Sequence, residues 1–242
     1  MSTNSRSFER SDSDIRPVTI EPGFVGSADG SALISVGGTR VICTASITTK
    51  VPRWMEGRGT GWVTAEYSML PASTGERKAR DISKGRLDGR SVEIQRLIGR
   101  SLRVAVDFEA LGERSVYVDC DVLEADGGTR CAAITGGYVA LHLALSQLVD
   151  AGDLPTMPLT TSVAAISVGM VDGRALCDLD YSEDSTAEVD ANVVMTGDGG
   201  LIEVQATAEQ TPLSRASLDE LLSLAEAGIG QLRVAQEEAA AG

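Results

Sequence analysis

The run Asp126-Gly127-Gly128-Thr129-Arg130 has the residue types of an anion cradle. Glycines let a backbone approach a ligand closely, and the free N–H groups at a helix start attract negative charge. Thr129 adds a hydroxyl donor, and Arg130 adds a forked cation that matches phosphate oxygens. The same letters also spell an ordinary Asp-Gly turn with a threonine at a helix start, so the run alone does not decide. Arg90 follows Asp88-Gly89 at the start of a second helical pattern. It could be a second phosphate ligand if the two helix starts face each other, or a surface arginine of a first turn. Asp178, Asp180, Glu183, Asp184, Glu188 and Asp190 crowd into thirteen positions, with Asp184 and Asp190 six apart. Two carboxylates meeting there could bind Mg²⁺, with phosphate and water completing the shell. Asp178 and Asp180 are secondary candidates for the same role. The plain alternative is an acidic hairpin exposed to water.

Net charge is −14 over 242 residues, which argues against non-specific nucleic-acid binding by the chain as a whole. Its distribution argues otherwise. Residues 77–103 carry nine Lys/Arg against Asp81, Asp88 and Glu93, whereas residues 178–242 carry fourteen Asp/Glu against Arg215 and Arg233. A confined basic segment in an acidic chain suits a guided RNA end, and equally an Arg-rich helix with its loop. Cys43, Cys120, Cys131 and Cys177 are far apart with no C-x-x-C pair, so a zinc site is not expected. His142, the one histidine, lies in an LHLAL run and reads as a packed core residue, which leaves little for a Ser-His or Cys-His mechanism. The polar start MSTNSRSFERSDSD has no secretory h-region. Ala132 to Val149 includes Thr135, Gly136, Gly137, His142, Ser146 and Gln147, so it reads as a buried helix and not a membrane span. A cytoplasmic protein with no membrane partner is the expectation.

These residues need elements to position them. Residues 1–15 are polar and expected to be mobile. Strands are predicted at Val18–Ile20, Ser31–Val36, Arg40–Ile47 and Trp62–Met69, with glycines as turns. Residues 71–89 read as a basic loop. A helix starts near Arg90, with Ile94, Leu97, Ile98, Ser101, Leu102 and Ala105 as its buried stripe and Arg96, Arg100 and Arg103 on the other face. Ser115–Leu123 alternates as a strand and leads through the glycine run into a second helix ending near Asp150. Strands recur at Val163–Met170, Ala175–Leu179, Ala187–Met195 and Ile202–Ala206. If the third of these is a strand, Asp190 and Asn192 share its polar face and Asp184 sits in the turn before it. Ser217 and Glu220 spell a capping box for a last helix. Strands, two helices, strands and a helix make an α+β class of mixed sheets with packed helices. No repeat of 20–50 residues is visible.

The stretches RPVTIEPGF, GWVTAEYSMLP, GRSVEIQRLIGRSLR, DCDVLEADGGTR, CDLDYSEDSTAEVDANVVM and IEVQATAE carry a likeness to a known family. Over nearly the whole chain, and in the same order, the sequence resembles bacterial ribonuclease PH. The resemblance implies a single ribonuclease PH domain over residues 1–242, of the ribosomal protein S5 domain 2-like fold. It implies phosphorolytic trimming of tRNA 3′ ends with inorganic phosphate as co-substrate, and a homohexamer built as a trimer of dimers. It implies phosphate binding by Arg90, Gly128, Thr129 and Arg130, a catalytic Mg²⁺-binding pair at Asp184 and Asp190, and tRNA guidance by Arg77 and Arg80. Cys131 departs from the threonine expected after the G-T-R. A non-catalytic RNA-binding ring subunit would be expected to lack the phosphate arginine or the acidic pair, and both are here. A kinase would be expected to carry a G-x-x-x-x-G-K-[ST] loop, and none occurs.

Overall fold

A computed structural model describes residues 6–80, 83, 85, 86, 88–209 and 212–241. The first half builds one mixed sheet from β1 (Val18–Pro22), β2 (Gly30–Val36), β3 (Thr39–Thr48), β4 (Trp62–Met69) and β5 (Ser115–Glu124), in the order β1-β2-β3-β5-β4. Strands β4 and β5 are parallel neighbours, and the chain passes between them through α1 (Gly89–Val104) and the single turn α2 (Phe108–Leu111). Alternation sets the inner face: Val41, Cys43 and Ala45 of β3 and Val116, Val118, Cys120 and Val122 of β5 are all buried. The predicted stripe of α1 is buried, Arg96 and Arg100 are exposed, and Arg103 instead tucks its guanidinium 4.8 Å from the Trp62 ring.

From β5 the chain enters α3 (Thr129–Asp150), which packs on β2, β3 and β5 on one side and on β6 (Val163–Val171) on the other. That double burial explains why α3 is apolar nearly all round. Gly136 permits the close approach: a Cβ there would sit 2.6 Å from Ile34 Cγ2. Among the described residues α3 is the one helix long and apolar enough to cross a membrane, and 67% of its apolar window is buried in the protein. His142 is half-buried rather than deep in the core, 6.3 Å from the Tyr138 ring, because it lies on the flank of the helix toward its end.

The second sheet is antiparallel, in the order β7-β6-β8-β9, with β7 (Arg174–Cys177), β8 (Val189–Thr196) and β9 (Leu201–Ala208). The long α5 (Arg215–Ala241) covers its other face, so β6 is buried almost without alternation. Gln236 of α5 donates to the carbonyls of Thr135 and Val163, both at 2.9 Å, which ties α5 to α3 and β6. The predicted Ser217–Glu220 capping box is corrected: α5 starts at Arg215, and the Ser214 hydroxyl accepts the Ser217 N–H at 3.0 Å. Ser214 immediately precedes the first helical residue, where an N-cap must stand.

The expectation of a mobile 1–15 segment is also corrected where it is described. From Arg6 on, the segment is packed on the second sheet, with Arg6 and Arg10 at 7% and 8% exposure among buried carboxylates. A polar composition concealed arginines whose partners lie some 170 positions away in sequence. Residues 71–80 form turns and coil, and Gly89 already belongs to α1.

Candidate active site at the start of α3

The turn from β5 into α3 is made by two left-handed glycines, Gly127 (φ +76°) and Gly128 (φ +66°). A Cβ on Gly127 would lie 2.6 Å from the Leu179 carbonyl oxygen and 2.8 Å from the Asp180 carbonyl carbon. Glycine there lets the loop press against the segment that leads into the one-turn helix α4 (Tyr181–Asp184). Thr39 secures the loop from the other side, its hydroxyl donating to the Gly127 carbonyl at 2.6 Å and accepting the Asp126 N–H at 2.9 Å. Arg16 donates to the Asp126 carbonyl. Gly128 caps α3 without a side chain, and the first helical bond is from the Ala132 N–H to the Gly128 carbonyl. The N–H groups of the first turn therefore face outward at the positive end of a long helix.

Thr129 and Arg130 stand on that turn. The Thr129 hydroxyl accepts from the Tyr67 hydroxyl at 3.0 Å. Arg130 donates to Gln205 Oε1 at 2.9 Å and reaches Glu93 Oε1 at 3.5 Å. Arg90, exposed in the first turn of α1, has no ion pair among the described residues. Two carboxylates complete the group. Burial raises the Asp184 carboxyl, and Arg90 and then Arg130 oppose that rise. Burial raises Asp190 too, the Asp184 charge raises it further, and Arg130 and Arg90 again oppose. These mutual effects place Arg90, Arg130, Asp184 and Asp190 within electrostatic reach of one another. Asp190 lies on β8, opposite Gly169 and Thr207, while Asp184 is the last residue of α4. Asn192, on the same strand face as Asp190, accepts a hydrogen bond from the Cys131 thiol at 3.3 Å. Cys131 is 5% exposed, and burial pushes its thiol far up, so it fills space beside the cradle without acting as a nucleophile.

Comparison with known proteins gives the family of the chain. Residues 14–146 match the model of the 3′ exoribonuclease family, domain 1, and residues 161–228 match domain 2 of the same family. Ribonuclease PH of Syntrophomonas wolfei is 56% identical over 232 residues, 96% of this chain and 97% of that one. Ribonuclease PH of Moorella thermoacetica is 57% identical over 225 residues, 93% of this chain and 90% of that one. The chain belongs to the ribonuclease PH family. Among solved structures, rice (Oryza sativa) Rrp46 superposes with a TM-score of 0.78 at 18% identity, covering 97% of this chain and all of that one. The Archaeoglobus fulgidus exosome with RNA bound to its active site gives a TM-score of 0.78 at 22% identity, covering 96% of this chain and 92% of that one. At such identities these two matches show the α+β fold.

Within this ribonuclease PH chain, the tertiary structure draws together Arg90, Gly128, Thr129, Arg130, Asp184 and Asp190. It sets Asp178 and Asp180 apart. Asp178 accepts from Arg16 Nε and Nη2 at 2.9 and 2.7 Å, with Arg10 at 3.6 Å, and both partners of the Arg16–Asp178 pair are at least 95% buried. Asp180 caps α4 in a capping box with Glu183 and accepts from Ser7 at 2.7 Å. These two carboxylates hold the N-terminal segment. Arg77 and Arg80 are both exposed. Arg80, with Lys78, lines a cavity of about 550 Å³ that also takes in Tyr67, Ser91 and Gln95. Arg77 is outside that lining.

Sequence reasoning missed Tyr67, Gln205 and Arg16. Each lay inside a stretch that matched the family, and each was a polar or phenolic group within or beside a strand pattern. The usable signal was that a buried phenol or guanidinium must find a partner.

Proposed function

We propose that this chain is a phosphorolytic 3′-to-5′ exoribonuclease that trims the 3′ ends of tRNA precursors and releases nucleoside 5′-diphosphates. One observation supports the reading above the others: Arg90, which has no ion pair among the described residues, and Arg130, which stands with Thr129 on the first turn of α3, both act electrostatically on the carboxylates of Asp184 and Asp190. The cations and N–H groups suit inorganic phosphate, bound at Arg90, Gly128, Thr129 and Arg130. A phosphate oxygen attacks the terminal 3′,5′-phosphodiester phosphorus. The O3′ of the penultimate nucleotide leaves and takes up a proton, and the RNA is one nucleotide shorter. Phosphate is already ionised at neutral pH, so no protein base is required. His142 could not supply one, since it stands 13 residues along α3 from Thr129, about 20 Å away. Bond made and bond broken are both phosphoryl linkages, so nucleoside diphosphates also extend RNA ends in the reverse direction.

Asp184 and Asp190 are the residues that would hold Mg²⁺. No cluster of three or more His, Cys, Asp or Glu suited to a metal occurs among the described residues. Two carboxylates fit an ion that keeps several waters and takes its remaining ligands from substrate phosphates. When bound, that ion supplies positive charge where two anions must meet. The protein's own part is to hold the nucleophile and the RNA end in line. We further propose that Arg77 and Arg80 guide the body of the tRNA, that six chains assemble as a trimer of dimers, and that the enzyme works in the cytoplasm with RNA and no membrane. The deciding assay incubates a 3′-extended tRNA with and without phosphate and separates the nucleotides released. Nucleoside diphosphates appearing only with phosphate are expected. Nucleoside monophosphates released without phosphate would mean hydrolysis and overturn the reading.

A further inference from the structure

Tyr67 is a buried group at this site to which the reaction gives no part. It ends the inward alternation of β4, is 4% exposed, and pairs across the sheet with Cys120. Its hydroxyl lies 3.0 Å from Thr129 Oγ1, with Tyr67 as donor. A hydroxyl has one proton and two lone pairs. With one lone pair of Thr129 occupied by the tyrosine proton, the threonine's own proton must point elsewhere, and none of the described residues accepts it. Thr129 is itself 6% exposed, on the first turn of α3 beside the free N–H groups. An unanswered donor in that place is costly unless a ligand accepts from it.

We infer that Tyr67 is a positioning residue that turns the Thr129 hydroxyl proton toward phosphate at the start of α3. The inference rests on the phosphorolytic reading of that site. Burial raises the Tyr67 pKa, so the phenol keeps its proton. With Tyr67 giving to Thr129 at 3.0 Å, Thr129 has its own proton left to give to the anion. A water or a freely rotating hydroxyl would leave the threonine proton to choose among several directions, at a loss of preorganisation. No covalent step involves Tyr67.

Tyr67→Phe removes one oxygen and keeps the ring that packs the site. Its KM for phosphate is expected to rise on the order of three- to tenfold, with KM for RNA and kcat at saturating phosphate nearly unchanged. KM for nucleoside diphosphate in the reverse reaction should rise by a similar factor, because its terminal phosphate occupies the same cradle. In a Thr129→Val background the Tyr67→Phe change should add nothing further to KM for phosphate, since the hydroxyl it orients is gone. Direct phosphate titration by the rise in Tm provides a readout independent of turnover. An unchanged phosphate affinity in Tyr67→Phe, or the same factor in the Thr129→Val background, overturns the inference. A loss of Tm with phosphate affinity intact shows a packing role only and also overturns it. Failure of the parent protein to bind phosphate at all would overturn the functional reading first, and this inference with it.

Discussion

Asp184 and Asp190 sit in a charge state that folding opposes. Burial raises both carboxyls, and Asp184 raises Asp190 further. A carboxyl with a folded pKa above its unfolded one binds more protons in the native state. Its contribution to stability is most favourable at low pH and falls as pH rises through the window from the ordinary carboxylate range up to the raised value. At neutral pH, then, these two charges cost stability, and removing one should relieve the protein. Asp190→Asn is expected to lose about 100-fold or more in kcat while its Tm at neutral pH stays equal to or above the parent's. A fall in Tm would show that Asp190 is structural. In Asp184→Asn the neighbouring charge is gone, so the Asp190 carboxyl should titrate at lower pH than in the parent. Carbon-detected NMR of the side-chain carboxyls against pH reads that shift directly, and an unmoved titration would mean the two groups do not face each other.

At the scale of elements, the site depends on a close approach of two loops more than on any single side chain. Gly127 carries both a left-handed backbone and a separation from Leu179 that leaves no space for a Cβ. Gly152 at the end of α3 has the same left-handed backbone (φ +79°), but a Cβ there would meet nothing within 4 Å. The pair separates conformational strain from loop contact. Gly152→Ala should lower stability by about 1 kcal/mol and leave phosphate KM alone. Gly127→Ala should cost about 2–4 kcal/mol in stability and raise phosphate KM, since the Asp126–Arg130 loop must move away from α4. Thermal unfolding and phosphate saturation of both variants check this. Equal behaviour of the two would show that the contact with residues 179–181 does not shape the cradle.

Across the whole molecule, a buried ionic group joins parts that are distant in sequence. Arg6, Arg10 and Arg16 reach Asp178, Asp180 and Glu183, and Arg16 also reaches the Asp126 carbonyl beside the cradle. Removing one partner of a buried pair leaves an uncompensated charge and typically costs about 3–5 kcal/mol. Asp178→Asn is therefore expected to lower Tm by on the order of 10 °C for a chain of this size, in contrast to Asp190→Asn twelve residues further on. Parallel thermal melts of the two variants test the contrast. An unchanged Tm in Asp178→Asn would show that the N-terminal segment contributes little to holding the second sheet. The network is neutral in itself, three arginines against three carboxylates, whereas Arg90 has no ion pair among the described residues.

Periodicity and turn residues by themselves determined most of the elements. Trp62–Met69 alternates, the α1 stripe recurs at helical spacing, and glycines interrupt the chain where its direction changes, because these are local properties of backbone and side-chain geometry. The glycine run was legible for the same local reason as a turn into a helix, though its letters alone left both an anion cradle and a plain Asp-Gly turn open. The thirteen-residue acidic cluster was legible only as a crowd. Six similar carboxylates look alike in sequence, and what separates Asp184 and Asp190 from Asp178 and Asp180 is which arginine stands opposite each. Asp178 meets Arg16 from the start of the chain, whereas Asp190 feels Asp184, Arg130 and Arg90. Tyr67 and Thr129 are likewise 62 positions apart. Pairings at such separations follow from how β4, α3 and β8 pack together, since a hydrogen bond or ion pair acts over a few ångströms of space and is blind to distance along the chain.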